Sequence, residues 1–377
     1  MLESGLTRRQ FLHRAAGAGM MLAAGTLVPG CSSGSKSTGE PATVRWVSPR
    51  GTLVAMDDYD LWVPIEMGYF EELKITAVLD GGPGKDELQS VAAGKADMGY
   101  PSPGDLASTI SVGVPVVSIW QQYPAQVFDF SLPRDSPITS VQELAGKRIS
   151  VPAAGLRPIV EPLLVEAGVD PGSVKLVENG VMWNLAVAQE KADAGLAWEG
   201  LRAQLQGQGL KLKYLVGSSF SQGPSNAYAV QRKDLDDDAK RDAYARFLQG
   251  VVMGLEFARR NPRAAAQITY RAVPGLSERI GPQVAVNALL QIAAGYAQEQ
   301  NRGKGWGFHD EAAWRAYLDT IAELGRIEKQ LAPEDVLTND FVDPANSDAD
   351  VEKARKDADA YELDQDFAKT KLPGEET

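Results

Sequence analysis

Between residues 43 and 231, short β-branched runs alternate with stretches of helical spacing. That alternation limits the chain to an α/β sheet with helices on both faces. Strands are predicted at 43–47, 75–79, 114–119, 128–133, 148–151, 174–177, 194–197 and 226–231. Helices are predicted at 57–70, 87–93, 156–167 and 186–192. A longer helix is capped by Asp236-Asp237-Asp238 and stopped by Pro262. Its stripe of Tyr244, Phe247, Leu248, Val251, Val252 and Leu255 reads as core. Another starts near Asp310, with Trp314, Tyr317, Leu318, Ile321 and Leu324 on its apolar face.

In such sheets ligands bind outside the carboxyl ends of the strands. Those ends present Arg50, Gly82, Tyr100 to Ser102, Ala154-Gly155 with Arg157, Trp183-Asn184 and Trp198-Glu199. Aromatic faces can sandwich a planar ligand, and arginines and helix N-termini can hold an anion. Trp46, Trp306 and Trp314 read as core. For Trp62, Tyr100, Trp183 and Trp198, core and cleft stand even. Arg157 opens a helix, where a cation opposes the dipole, so it is the better anion candidate than Arg50. Asp57, Asp58 and Asp60 stand at a helix start, where capping explains them. The alternative, shared with Glu199, is a carboxylate that accepts an amine or ring N–H. Gly84-Lys85 fails the phosphate-loop pattern, because Leu79 and Asp86 stand where glycine and a hydroxyl are needed. A looser reading leaves a glycine turn with backbone N–H groups free to face a cleft.

The residues that are scarce narrow the chemistry. The chain holds one cysteine and two histidines, so disulfide frameworks and zinc sites of several His or Cys ligands cannot be built. Beyond His13, only His309 could serve a Ser-His-Asp triad, and its place before a helical pattern suits a helix-start role better. With 38 basic against 50 acidic residues, net −12, a basic nucleic-acid footprint is absent. Half of that charge falls in residues 343–377, with 11 acidic against 5 basic side chains. The expectation there is a solvated, loosely structured acidic tail, given the span 346–377.

The first 31 residues read as a targeting segment. Arg8-Arg9 precedes Phe11-Leu12, then a weakly apolar run from Ala15 to Val28. At 14 residues the run is shorter than the roughly 20 of a spanning helix. The arginine pair resembles a twin-arginine export signal. Val28-Pro29-Gly30-Cys31 resembles a bacterial lipobox, with Cys31 as the lipidated residue and Pro29 as a departure. The alternative is a soluble secreted protein cut near the same place. Residues 32–42 read as a flexible tether.

Several segments together resemble the periplasmic substrate-binding proteins of ABC importers. The branch is the one that takes nitrate, alkanesulfonates, taurine and thiamine-pyrimidine precursors. Glu66-Met67-Gly68-Tyr69-Phe70 is similar to that family's Ala-x-x-x-Gly-Tyr-Phe helix. Gly94-Lys95-Ala96-Asp97 followed by Ser102-Pro103-Gly104-Asp105 matches its helix–strand–helix passage. Asp135-Ser136-Pro137-Ile138 with Leu144-Ala145-Gly146-Lys147-Arg148-Ile149, Phe257-Ala258 with Asn261-Pro262, and Leu337-Thr338-Asn339-Asp340-Phe341 also agree. The last resembles the Tyr-Thr-Asn-Glu-Phe of the pyrimidine-binding members.

The resemblance implies a two-lobed type II binding-protein fold, with lobe 1 at 43–126 and 223–345, lobe 2 at 127–222, and crossings near Gln126 and Gln222. It implies a monomeric, exported, membrane-tethered protein without catalysis, cofactor or metal. Such a protein captures a small ligand for an ABC permease and binds no nucleic acid. The tryptophans and Thr338-Asn339 favour a pyrimidine-like heterocycle, and Arg157 would suit an aromatic acid. Nitrate or an alkanesulfonate is the alternative ligand. A pyrimidine synthase resembles these proteins too, but works with a cysteine-rich motif and histidine. An extracellular carboxylate-pair hydrolase finds no paired motif here.

Overall fold

The computed structural model describes residues 39–84, 86–124, 126–273, 275–296 and 303–375. The targeting segment, Cys31 and most of the tether lie outside the described residues.

Among the described residues, ten strands form two five-stranded sheets. The first has the order β2-β1-β3-β10-β4, from β1 (Ala42–Val47), β2 (Ile75–Asp80), β3 (Met98–Gly99), β4 (Val116–Gln121) and β10 (Ala227–Gln231). The second has the order β7-β6-β8-β5-β9, from β5 (Phe128–Pro133), β6 (Arg148–Val151), β7 (Lys175–Glu178), β8 (Ala194–Trp198) and β9 (Leu212–Leu215). In each sheet four strands share one direction and one inserted strand runs against its neighbours. β10 does so between β3 and β4, and β5 between β8 and β9. The chain therefore crosses between sheets twice, after β4 and after β9. β4 lies at a sheet edge, yet all six of its residues are buried. Single bridges to Leu337 and Gly307 cover that edge.

The helices are α1 (Tyr59–Glu66), α2 (Tyr69–Glu72), α3 (Glu87–Ala92), α4 (Pro103–Ser111), α5 (Arg157–Glu166), α6 (Trp183–Ala188) and α7 (Leu201–Gly207). After β10 come α8 (Asp238–Arg260), α9 (Pro262–Ala272), α10 (Pro282–Tyr296), α11 (Glu311–Glu323), α12 (Pro333–Val336), α13 (Val342–Asp348), α14 (Val351–Ala360) and α15 (Gln365–Ala368). α6 starts three residues before the predicted position. It ends where Glu190 turns left-handed, at φ 57°.

α8 is the longest helix. Asp237 caps it by accepting from the N–H groups of Ala239 and Lys240, and its expected stripe is buried in the first lobe. Gly254 on α8 lets α1 lie close, because a Cβ there would stand 2.6 Å from the carbonyl oxygen of Asp60. This contact sets the position of the α1 N-terminus.

The acidic C-terminal segment is not loosely structured. α13 to α15 pack on the first lobe, with Ala345, Ala354, Ala358 and Phe367 buried in its core. Their acids have partners far away in sequence: Asp359 meets Arg260 at 2.7 Å, and Asp364 meets Arg271 at 2.6 Å. Glu375 pairs with Arg263. The charge that suggested solvation is matched by arginines on α8 and α9.

Candidate functional site

The strand ends of the first sheet converge on a group of acids and aromatic rings. β1 runs into Ser48, whose Oγ accepts from the Arg50 N–H at 3.2 Å. The Gly81-Gly82 turn after β2 lies flush on this loop. A Cβ at Gly82 would stand 2.3 Å from Val47 Cγ2, and its φ of 69° suits glycine. Arg50 pairs with Asp58 and lies 5.8 Å from the centre of the Tyr100 ring. Asp58 occupies the N-cap position of α1 but makes no capping hydrogen bond. The pairing with Arg50, rather than capping, accounts for it.

Asp60 accepts from Gln122 Nε2 and the Tyr228 hydroxyl, both at 2.7 Å. Tyr100 packs against Trp46, Tyr123 and Tyr228, at ring separations of 5.8, 6.5 and 5.4 Å. Two carboxylates, Asp57 and Asp58, thus face Arg50, and Asp60 stands beside Asp58 in the same largely buried setting. Burial pushes Asp60 up to about 7 and Asp57 up to about 6. Burial lowers Arg50, but Asp58 and Asp57 outweigh it and hold the guanidinium charged.

The second lobe meets this group at Glu199, just past β8. A Cβ at Gly295 of α10 would stand 2.6 Å from Glu199 Oε2 and 3.7 Å from Tyr123 Cδ1. Glu199 is therefore a close neighbour of the Tyr100–Tyr123 group. It is 5% exposed, and Oε2 has no hydrogen-bond partner among the described residues. Arg202 lies 3.6 Å from its Oε1 and 3.1 Å from Asp129. Burial, and then the Asp129 charge, push Glu199 up to about 8, against the pull of Arg202. A buried carboxyl oxygen without a hydrogen-bond partner is costly to leave unmatched. Here it can accept from, or when protonated donate to, a ligand held between the lobes.

Other expected residues fall elsewhere. Trp183 and Trp198 stack on each other, 5.9 Å apart and 16° from parallel. In this arrangement the two rings pack on each other, with no gap between them for a planar ligand. The Trp183 indole also donates to the Leu196 carbonyl oxygen. Asn184 is buried against Ser131 inside the second lobe. Ser102 caps α4 and bonds Asp105. Trp62 is half-buried on α1, and its buried indole N–H has no hydrogen-bond partner among the described residues.

Arg157 is not a free anion receptor. It pairs with Glu161 at 3.1 Å, and Glu161 is also held by Arg326 of the first lobe. Ala154 and Gly155 form the turn that precedes Arg157, and a Cβ on Gly155 would meet open space.

His309 is fully buried in an arrangement that resembles a catalytic triad. Its Nε2 lies 2.7 Å from Ser118 Oγ, and its Nδ1 lies 3.0 Å from Asn339 Oδ1. Burial drops its pKa to about 4, so the ring is neutral. Ser118 is likewise fully buried in β4. This trio ties the last helices to the sheet edge. Asn339 thereby has a structural role, and the Thr338-Asn339 motif ceases to argue for a pyrimidine.

The contributions of Asp129, Arg202, Gln122, Tyr123 and Tyr228 were not anticipated. Gln122 and Tyr123 follow the last strand before a crossing, which was the available signal.

The comparisons agree with this architecture. An alkanesulfonate-binding protein, SsuA from Xanthomonas axonopodis pv. citri, bound to MOPS, superposes with a TM-score of 0.60 at 14% identity. The match covers 80% of this chain and 99% of that one. A riboflavin-binding protein, RibY of Chloroflexus aurantiacus, is 22% identical over 297 residues, 74% of this chain and 81% of that protein. A 4-amino-5-hydroxymethyl-2-methylpyrimidine phosphate synthase of Legionella pneumophila is 25% identical over 155 residues, 41% of this chain and 47% of the enzyme. The family model described as NMT1/THI5 like matches residues 59–265, from the start of α1 into α9. With its two sheets joined by two crossings and more than half its length matched, the chain belongs to the NMT1/THI5-like family.

Proposed function

We propose that this chain is the exported ligand-binding component of an ABC importer, and that it captures a planar heterocycle rich in N–H donors. The observation that carries the ligand class is the acid-and-aromatic group of Asp57, Asp58, Asp60, Tyr100, Tyr123 and Glu199. Acids outnumber arginines in it, and Arg50 and Arg202 are both engaged by carboxylates. Such a group suits ring N–H and amino donors, and repels sulfonate or nitrate. An aromatic acid is less well served, because Arg157 is already paired with Glu161. The riboflavin named for one relative and the aminopyrimidine named for another are both planar nitrogen heterocycles. Attachment through Cys31 and delivery to a permease complete the proposal. Catalysis is not part of it, since His309 is buried among structural partners.

A thermal-shift screen tests the ligand class. Riboflavin, aminopyrimidines, aromatic carboxylates, alkanesulfonates and nitrate are compared at equal concentration. A ligand at about 100 times its Kd stabilises by about 2.7 kcal/mol. We expect a shift with a heterocycle that is lost in Tyr100→Ala and reduced at least tenfold in affinity in Glu199→Gln. A shift with sulfonate or nitrate alone would overturn the proposed ligand class.

A further inference from the structure

On the far side of Arg202 from Glu199, a groove of about 470 Å³ opens between the second lobe and α10. It is lined by Arg134, Arg202, Gln206, Lys211, Tyr214 and Gln291, with Gly209, Leu210 and Leu212 between them. The volume falls in the range of small-molecule sites, about 300–1,000 Å³. Its charge runs against the rest of the molecule. The chain carries net −12, yet this lining has three cations and no carboxylate, Arg202 being the one of the three that also pairs with Asp129 and Glu199 behind the lining.

The cations are placed by the fold. Arg134 follows β5 and Lys211 precedes β9, and the Arg134 N–H donates to the Lys211 carbonyl oxygen at 3.2 Å, so both stand at one end of this strand pair. Tyr214 on β9 contributes a hydroxyl that is buried without a hydrogen-bond partner among the described residues. An unmatched buried hydroxyl carries a free-energy penalty that an incoming acceptor removes. Gln291 spends its Oε1 on the Ala203 N–H, and its amide NH2 is the donor end that remains. Every one of these side chains can donate a hydrogen bond, and the cationic ones can do nothing else.

We propose that this groove is a second binding site, for a phosphorylated or otherwise multivalent oxyanion. Arg202 gives it a route to the first site. The same guanidinium that lines the groove lies 3.1 Å from Asp129 and 3.6 Å from Glu199. An anion drawn to Arg202 competes with Glu199 for its charge and changes how Glu199 meets a ligand between the lobes. This coupling rests on the proposed function, whereas the groove itself does not.

The test uses the purified chain without any cleft ligand. Inorganic phosphate is titrated by calorimetry, with sodium chloride matched for ionic strength as the control. We expect saturable binding of one phosphate, weakened at least tenfold in the Arg134→Ser, Lys211→Ser double variant with an unchanged melting temperature. Tyr214→Phe should weaken it too, with the ring packing retained. A spectroscopic check is at hand, because Trp183 and Trp198 share an apolar cluster with Leu210, Leu212 and Tyr214. Phosphate should therefore alter tryptophan emission where chloride does not. Equal heats with chloride, or binding unchanged in the double variant, would overturn the site. Phosphate binding that leaves the heterocycle affinity unchanged would overturn the coupling alone. Failure of every heterocycle to bind, with phosphate binding intact, would count against the proposed function and not the groove.

Discussion

Glu199 concentrates the electrostatic strain of the site in one side chain. Its carboxyl is buried, has one oxygen unmatched and is shifted up to about 8 from an ordinary 4.5. A carboxyl whose folded pKa is raised contributes stability that is fully present below its unfolded pKa. That stability is lost as pH rises through the folded one. The window here runs from about 4.5 to about 8. Glu199→Gln keeps the shape and removes the titration. In urea unfolding at pH 5, 6.5, 8 and 9, the variant should gain on the wild type up to pH 8 and level off above. The steepest slope available to one such group is about 1.4 kcal/mol per pH unit. A gap between the two proteins that is constant with pH would mean that Glu199 is ionised throughout. Arg50, Tyr100 and Glu199 could be read as candidates because each follows a strand end, and Asp58 because it stands in an acidic cluster at a helix start. Tyr228 could not, because it lies at the start of a returning strand, where the rule of carboxyl ends points the wrong way.

Among elements, the C-terminal helices differ most from their sequence. Residues 343–377 are charged enough to read as solvated, and nothing within the segment shows where its partners lie. The partners are Arg260, Arg263 and Arg271, about 100 positions earlier in the chain. Phe367 is buried at the junction of α15 and α9, edge-on to Tyr270 at 5.3 Å. Phe367→Ala should therefore cost about 3–5 kcal/mol, visible as a drop of several degrees in Tm. A solvated tail would register no change. α9 and α10 were missed for other reasons. α10 is Ala-rich and free of charged side chains and buries Ala285, Val286, Ala288, Leu289 and Ile292 around its axis, so no clean polar stripe marks its period, whereas α9 has a polar face but follows directly on Pro262, which reads as a stop. The strands were legible because β-branched runs bounded by glycine and proline leave few other conformations.

Across the whole molecule the two lobes meet at contacts of different character. On one side α7 packs on α10, where a Cβ at Gly200 would meet Ile292 and one at Gly207 would meet Val284. On the other, α5 meets the first lobe through polar groups: Arg326 grips Glu161, and the Tyr317 hydroxyl donates to the Pro158 carbonyl oxygen at 3.1 Å. Arg326 touches none of the acid-and-aromatic group. Arg326→Ala should nevertheless weaken ligand binding about tenfold, or about 1.4 kcal/mol, by loosening the closed arrangement. Calorimetry paired with small-angle scattering checks this, and unchanged affinity would show that closure does not draw on this contact. The inserted strands carry a different consequence, one of assembly order. Every strand of the second sheet lies within residues 128–215, so that sheet can be completed from one continuous stretch of chain. The first sheet has a gap between β3 and β4 until residues 227–231 arrive. The lobe whose strands begin first along the chain is therefore the one whose sheet is finished last.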